Sequence, residues 1–219
     1  MKLIKPFYEI LTPINGDEIL KSIEKAARTC YKSEDKIQDG SAEKLAQMLL
    51  NRGHEAMIEF GPSITVKFIC DRGVSHEFVR HRLASFAQES TRYCNYGKDE
   101  HITFIIPCWL GITEGNYEYD DIKKYVHTNQ EIWLQAIYEA EINYYKLVRL
   151  KNWKPQQARS VLPNSLKTEL NIKANIREWR HIFKMRTAKT AHPQMQELMQ
   201  PLLDEFKEKI PILFDDIIY

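Results

Sequence analysis

What this sequence lacks narrows its class before any motif is considered. It has no apolar run of the ~18 residues a membrane helix needs, and the opening MKLIKPFYEIL is broken by Lys5, Pro6 and Glu9 instead of forming a signal-peptide core. A cytoplasmic protein with no membrane association is expected. Net charge is nearly absent as well: 31 Lys and Arg against 30 Asp and Glu leave +1. No global field is available to hold nucleic acid, so any anion site must be local. The four cysteines, Cys30, Cys70, Cys94 and Cys108, form no C-x-x-C pair, and free thiols are expected. The histidines form no H-x-x-x-H or H-E-x-x-H pattern, so no metal is expected. Internal repeats and low-complexity tracts are also missing.

What is present is a chain of 219 residues, 43% hydrophobic and 28% charged, the balance of an ordinary globular protein. A single domain over 1–219 is expected, of α+β class, with a central antiparallel β-sheet flanked by several helices, one of them a long scaffold helix. Lys2 to Ile10 reads as a first strand. Helical spacing of Ile19, Leu20, Ile23, Ala26 and Ala27 predicts a helix from Asp17 to about Tyr31. A second helix capped by Ser41 carries Leu45, Met48 and Leu49 and stops at Gly53. Ser63 to Cys70 alternates as a strand ended by Gly73, Val74 to Arg82 reads as a short helix, and 83–97 as an ordered functional loop. ITFIIP at 102–107 is another strand. The scaffold helix spans about Ile122 to Leu150, with Ile122, Tyr125, Val126, Trp133, Ala136, Ile137, Ala140, Tyr144, Leu147 and Val148 in one stripe. Pro155 opens a further helix closed by Pro163, LKTELNIKAN returns as a strand, and helices follow over Ile176 to Met185 and 194–208.

Two cationic clusters stand out. Arg80-His81-Arg82 precedes a loop offering Gln88, Glu89, Ser90, Thr91 and Arg92, a density suited to an anion. On a helix, residues two apart point about 200° from one another, so the two arginines would reach different ligands. A solvated basic helix end explains the same tripeptide. On the predicted 175–186 helix, Arg177, His181 and Lys184 share one face while Trp179, Ile182 and Phe183 share the other. Arg186 falls toward the apolar side, where a guanidinium needs a ligand or carboxylate unless the helix has already ended. His54, in Gly53-His54-Glu55, is a hydrogen-bonded structural residue or a functional one.

The segment RHRLASFAQESTRY, with Arg80-His81-Arg82, seven residues and then Ser90, resembles the signature of the flavin-dependent thymidylate synthases. Supporting similarity lies in AARTCY (26–31), GHEAMIEF (53–60), ARSVLP (158–163) and NIREWRHIFKMR (175–186), so the resemblance spans nearly the whole chain. It implies transfer of a methylene from 5,10-methylenetetrahydrofolate to C5 of dUMP, with FAD carrying a hydride from NADPH, giving dTMP and tetrahydrofolate. It places dUMP against Glu77, Arg80, Gln88, Glu89, Ser90, Arg92, Arg159 and Arg186. FAD falls against His54, Glu59, Arg80, His81, Arg82, Leu83, Gln88, Asn175, Arg177 and His181. Ser90 and Arg186 are the candidate catalytic residues, Ser90 favoured as a binder because no neighbouring base would activate it. Cys94 lies outside the motif. The resemblance also implies a homotetramer whose sites combine residues of several subunits. The sequence departs from the family pattern at Ala56, Phe60 and Ala87, where a hydroxyl residue, histidine and asparagine are frequent.

Two other readings compete. A nucleic-acid-binding module could use the arginines with Phe86, Tyr93, Tyr96 and Trp179, against which the near-zero net charge argues. A nucleotide phosphohydrolase would need metal-ligating carboxylates that the sequence does not offer in any recognisable pattern.

Overall fold

A computed structural model describes residues 1–125 and 127–219. In chain order the elements are β1 (Lys2–Ile4), β2 (Phe7–Ile10), α1 (Gly16–Thr29), α2 (Ser41–Asn51), β3 (Ile64–Asp71), α3 (Arg72–Phe78), β4 (Ser85–Gln88), β5 (Thr103–Ile105), β6 (Gly115–Asn116), α4 (Tyr119–Ile122), α5 (Asn129–Tyr145), α6 (Pro155–Ala158), β7 (Lys167–Ala174), α7 (Ile176–Arg186), α8 (Pro193–Lys209) and α9 (Pro211–Phe214). The class is α+β. The strands form a three-stranded sheet, order β5-β1-β6, and a four-stranded sheet, order β2-β3-β7-β4. The chain forms two compact units. One comprises Met1–Phe7, Phe68–Arg80 and Ala87–Leu170, the other Tyr8–Lys67, His81–Phe86 and Asn171–Tyr219.

The first unit is built on β1, which pairs parallel with β5 (Leu3 opposite Phe104) and antiparallel with β6 (Leu3 opposite Gly115). A parallel partner is possible because a long stretch of chain separates β1 from β5. Leu3, Phe104, Leu134, Ile137 and Tyr144 are buried together in its core. The predicted scaffold helix exists but is shorter at its start. His127 takes a positive φ of 61°, and the Thr128 side chain accepts from Glu131 N at 3.2 Å, so α5 begins only at Asn129. Its last turn widens into a π-helix over Lys146–Leu150. Of the expected stripe, Ala136 is exposed and Val126 lies outside the described residues.

The second unit centres on aromatic packing. Trp179 and Phe183 of α7 meet Phe206 of α8, with ring centroids 5.0–5.6 Å apart, and Phe214 closes the cluster on Phe183 at 5.7 Å. Each fully buried ring contributes on the order of 2 kcal/mol, and the Trp179 indole N–H is satisfied by Ile64 O at 3.0 Å. The amphipathic assignment of α7 therefore holds, with Arg177, His181 and Lys184 exposed and Trp179, Ile182 and Phe183 buried.

Several boundaries differ from expectation for identifiable reasons. Pro6, with no N–H to give, splits the first strand into β1 and β2. Gly40 at φ 71° is the N-cap of α2; Ser41 is its first residue, and its hydroxyl donates to Glu24 Oε2 at 2.9 Å. Asp71 caps α3 through Val74 N at 2.7 Å, so that helix starts earlier than expected and ends at Phe78. Residues 83–97 are not all loop, because Ser85–Gln88 join the four-stranded sheet as β4.

Candidate functional site

The early end of α3 removes the premise that Arg80 and Arg82 diverge on a helix: both stand in the turns that follow it, exposed. Their reach is set by those turns. His81 between them is buried, at 5% exposure. The motif thus presents two solvated guanidiniums around one enclosed imidazole.

In the first unit, Gln88, Glu89, Ser90 and Arg92 stand at the end of β4 and in the loop after it, joined by Arg159, whereas Glu77 lies on α3 and Arg80 in the turn after it. Gln88 Nε2 donates to Ser75 Oγ at 2.8 Å and to Thr168 Oγ1 at 3.2 Å. Glu89 accepts from the Tyr96 hydroxyl at 2.6 Å on Oε1 and from Lys167 Nζ at 3.0 Å on Oε2. Burial and that carboxylate together push the Tyr96 phenol far up. Ser90 Oγ accepts from Arg92 N at 3.3 Å, and no described side chain acts as its base. That contact suits a binder better than a nucleophile. Arg159, at the end of α6, donates to Thr91 Oγ1 at 3.0 Å, which fastens a second guanidinium to the loop. Arg92 lies over the Tyr93 ring, 5.4 Å from its centroid.

In the second unit, α7 and the 3-10 turn Glu55–Phe60, with their N-cap residues Asn175 and His54, carry five of the ten residues expected at FAD. Arg177 pairs with Glu59 and stands 3.8 Å from Glu55, so two residues predicted to meet the cofactor are paired with each other. Glu55 also lies 3.8 Å from Arg180 and 3.6 Å from Lys184. Asn175 caps α7, accepting from Glu178 N at 2.8 Å. His54 and Arg177 line a cavity of about 700 Å³ together with Arg28, Lys36, Arg52 and Met57. Leu83 is 77% exposed and does not line it.

The Arg186 Nε–H donates to His81 Nε2 at 2.9 Å. Burial first, then the charges of Arg186 and His181, push the His81 imidazolium down to about 4. His81, Glu178 and His181 hold ligand atoms within 4.8 Å of one another, a spacing close to what a divalent ion uses. Arginine Nε–H can only donate, so Nε2 supplies a lone pair and the ring proton sits on Nδ1. Nδ1 is the atom 3.7 Å from Glu178 Oε1. A proton thus occupies the position that a metal would require.

Sequence reasoning missed Arg180, Glu178, Ser75, Thr168 and Lys167. Arg180 is 2% exposed, bound bidentately to Asp216 at 2.7 Å through both oxygens and to the Leu213 carbonyl. Helical spacing carried the signal: Arg180 is four residues after Ile176 and three before Phe183, both core positions. Glu178 lies four before buried Ile182 in the same way. The contacts of Ser75, Thr168 and Lys167 have no sequence signal, because they are made between separate elements that only the fold brings together.

The family model described as thymidylate synthase complementing protein matches residues 14–212. A protein of Corynebacterium aurimucosum named flavin-dependent thymidylate synthase is 32% identical over 200 residues, which cover 89% of this chain and 78% of the relative. The fold resembles that of thymidylate synthase X from Helicobacter pylori, solved with FAD and dUMP, at a TM-score of 0.72 and 23% identity over 97% of this chain and 98% of that one. It also resembles a UMP/dUMP methylase from Streptomyces cacaoi, solved with 5-bromo-dUMP, at a TM-score of 0.76 and 21% identity over 98% and 96%. At those identities the structural likeness speaks for the fold alone. The extent of the family match, running through both compact units and every motif described above, places this chain in the thymidylate synthase complementing protein family.

Proposed function

We propose that this chain is a flavin-dependent thymidylate synthase: it methylates dUMP at C5 to dTMP, with FAD as cofactor, 5,10-methylenetetrahydrofolate as carbon donor and NADPH as reductant. The observation that carries the reading is the 700 Å³ cavity that brings His54 and Arg177 together with further cations and an apolar wall of Leu45, Met48, Leu49 and Met57. Its volume is that of a cofactor site, and cations beside thioether and aliphatic groups match a diphosphate joined to flat rings. FAD, when bound, supplies two-electron hydride chemistry. His54, Glu59, Arg80, His81, Arg82, Leu83, Gln88, Asn175, Arg177 and His181 hold and orient it. The exposed Arg82 guanidinium and the cavity cations serve its phosphates.

On the substrate side, Glu77, Arg80, Gln88, Glu89, Ser90, Arg92, Arg159 and Arg186 bind dUMP, the arginines serving phosphate and uracil carbonyls. Glu89, which also accepts from Tyr96 and Lys167, shapes the loop as well. Ser90 offers a hydroxyl as a ligand for the nucleotide. The reading further includes one family domain over 1–219, a homotetramer with sites shared between subunits, and a cytoplasmic location. No helix among the described residues is long and apolar enough to cross a membrane. A nucleic-acid-binding role is disfavoured by the balanced charge.

The test is the visible spectrum of the purified protein, for flavin bands, followed by tritium release from C5-labelled dUMP with NADPH and methylenetetrahydrofolate. Bound flavin with release dependent on all three substrates is expected. Protein that binds no FAD when it is supplied in excess would sink the reading.

A further inference from the structure

Gln88 sits at the end of β4 with both amide protons committed to buried hydroxyls: Ser75 Oγ at 2.8 Å and Thr168 Oγ1 at 3.2 Å. Ser75 is 0% exposed and Thr168 1%. The Ser75 hydroxyl proton is itself spent on the Arg72 carbonyl at 2.9 Å, so toward Gln88 its oxygen can only accept. Thr168 Oγ1 likewise faces a donor, the Arg72 guanidinium at 3.4 Å. The Ser75 oxygen, which can only accept from Gln88, decides which way the amide lies, with NH2 inward toward both hydroxyls and Oε1 outward. No described residue donates to Oε1, and the side chain is only half-buried. Neighbouring Glu89 already accepts from Tyr96 on Oε1 and from Lys167 on Oε2.

We infer that Ser75 and Thr168 are positioning residues that hold Gln88 Oε1 as a preset hydrogen-bond acceptor for an uncharged donor of the substrate nucleotide. This rests on the dUMP reading above. The nucleotide has two such donors, the ring N3–H and the 3′-hydroxyl. A fixed acceptor rewards either and penalises a ligand that presents a lone pair or a hydrogen in its place, because the amide cannot turn over without setting Oε1 against the Ser75 oxygen, whose proton is already given to Arg72 O. If N3–H is the partner, the contact separates uracil from cytosine, whose N3 is an acceptor. If the 3′-hydroxyl is the partner, it separates deoxynucleotides from 3′-deoxy analogues.

The experiment is calorimetric titration of the FAD-loaded protein with dUMP, dCMP and 2′,3′-dideoxyuridine monophosphate, for the native chain and for Gln88→Leu, Ser75→Ala, Thr168→Val and Thr168→Ser. Native protein is expected to prefer dUMP over at least one analogue by roughly tenfold or more. Gln88→Leu should reduce that preference to about twofold. Ser75→Ala and Thr168→Val should reduce it partly, raising KM for dUMP more than they lower kcat, and Thr168→Ser should restore it. Loss against dCMP assigns N3–H, and loss against the dideoxy analogue assigns the 3′-hydroxyl. Unchanged preferences in folded Gln88→Leu protein, with native dUMP binding intact, would overturn the inference. Native protein that binds FAD but no dUMP would instead overturn the function on which it rests.

Discussion

Arg186 donates its Nε–H to Nε2 of His81 across 2.9 Å, joining two residues 105 apart in the chain. The contact settles the tautomer of a buried imidazole and places a permanent cation beside it, and both disfavour the imidazolium.

Acid should therefore destabilise the fold through His81. Its folded value is depressed from 6.5 to about 4, so between those limits the unfolded chain binds the extra proton. The His81 contribution is complete above pH 6.5 and is lost as pH falls toward 4, by up to about 3 kcal/mol. Glu178, whose carboxyl is raised by burial, acts in the opposite sense, so the slope is read as a difference between variants. Urea melts from pH 7 to 4 should show a steeper loss for the native chain than for His81→Asn. Parallel curves would contradict this account.

Arg82→Ala and Arg92→Ala should separate the two ligands. Each removes a charge-assisted contact worth about 1.5–3 kcal/mol, or roughly 10- to 150-fold in affinity. We expect Arg82→Ala to weaken FAD and Arg92→Ala to weaken mainly dUMP. Flavin fluorescence and dUMP titrations on the same preparations check the division, and reversed assignments would refute it.

Asp216→Ala should loosen α7. Arg180 would keep the Leu213 carbonyl and lose both carboxylate bonds, leaving a buried guanidinium underpaired. Asp216 is half exposed, which limits the cost to about 1–2 kcal/mol. Thermal melts measure it. Because the Arg180 pair holds the Asp216 carboxyl below the usual carboxylate range, the stabilisation should be present at neutral pH and lost as pH falls below about 4.

Gly16→Ala should cost more than a helix propensity scale suggests. An added Cβ would meet the Lys209 carbonyl oxygen at 2.5 Å, and backbone atoms yield less readily than side chains, so a loss of about 1–3 kcal/mol is expected in chemical denaturation. A neutral or stabilising substitution would show that α1 and the end of α8 can separate freely.

Cys94→Ala should leave turnover nearly intact. The thiol lies outside the motif, and its backbone N–H closes the turn onto Ser90 O at 2.9 Å, a role alanine keeps. Complete loss of activity in folded protein would restore a thiol mechanism.

Periodicity made much of the fold legible. The buried face of α7, the strand Lys167–Ala174 with Thr168, Leu170, Ile172 and Ala174 inward, and the Gly53 stop after α2 all follow from local chemistry. Gly53 takes φ 68°, the conformation glycine supplies at a helix end. Where the reading missed, a competing local rule had won. Asp71 capped α3 early, through Val74 N, and the helix ended at Phe78, before Arg80. The Ser85–Gln88 segment, half apolar and short, became a strand only because β7 was there to pair with it.

The sequence by itself determined the family and nominated the candidate site residues, because the arginine, histidine and serine spacing of RHRLASFAQES is a property of the chain alone. Tertiary structure decided what those residues are free to do. Arg186 is turned onto His81, Arg177 onto Glu59, Glu89 onto Tyr96 and Lys167, and Gln88 onto Ser75 and Thr168. The reason is physical: a buried or half-buried polar group must find a partner, and the partner it finds depends on which distant segment the fold brings within 3 Å, which no local pattern encodes.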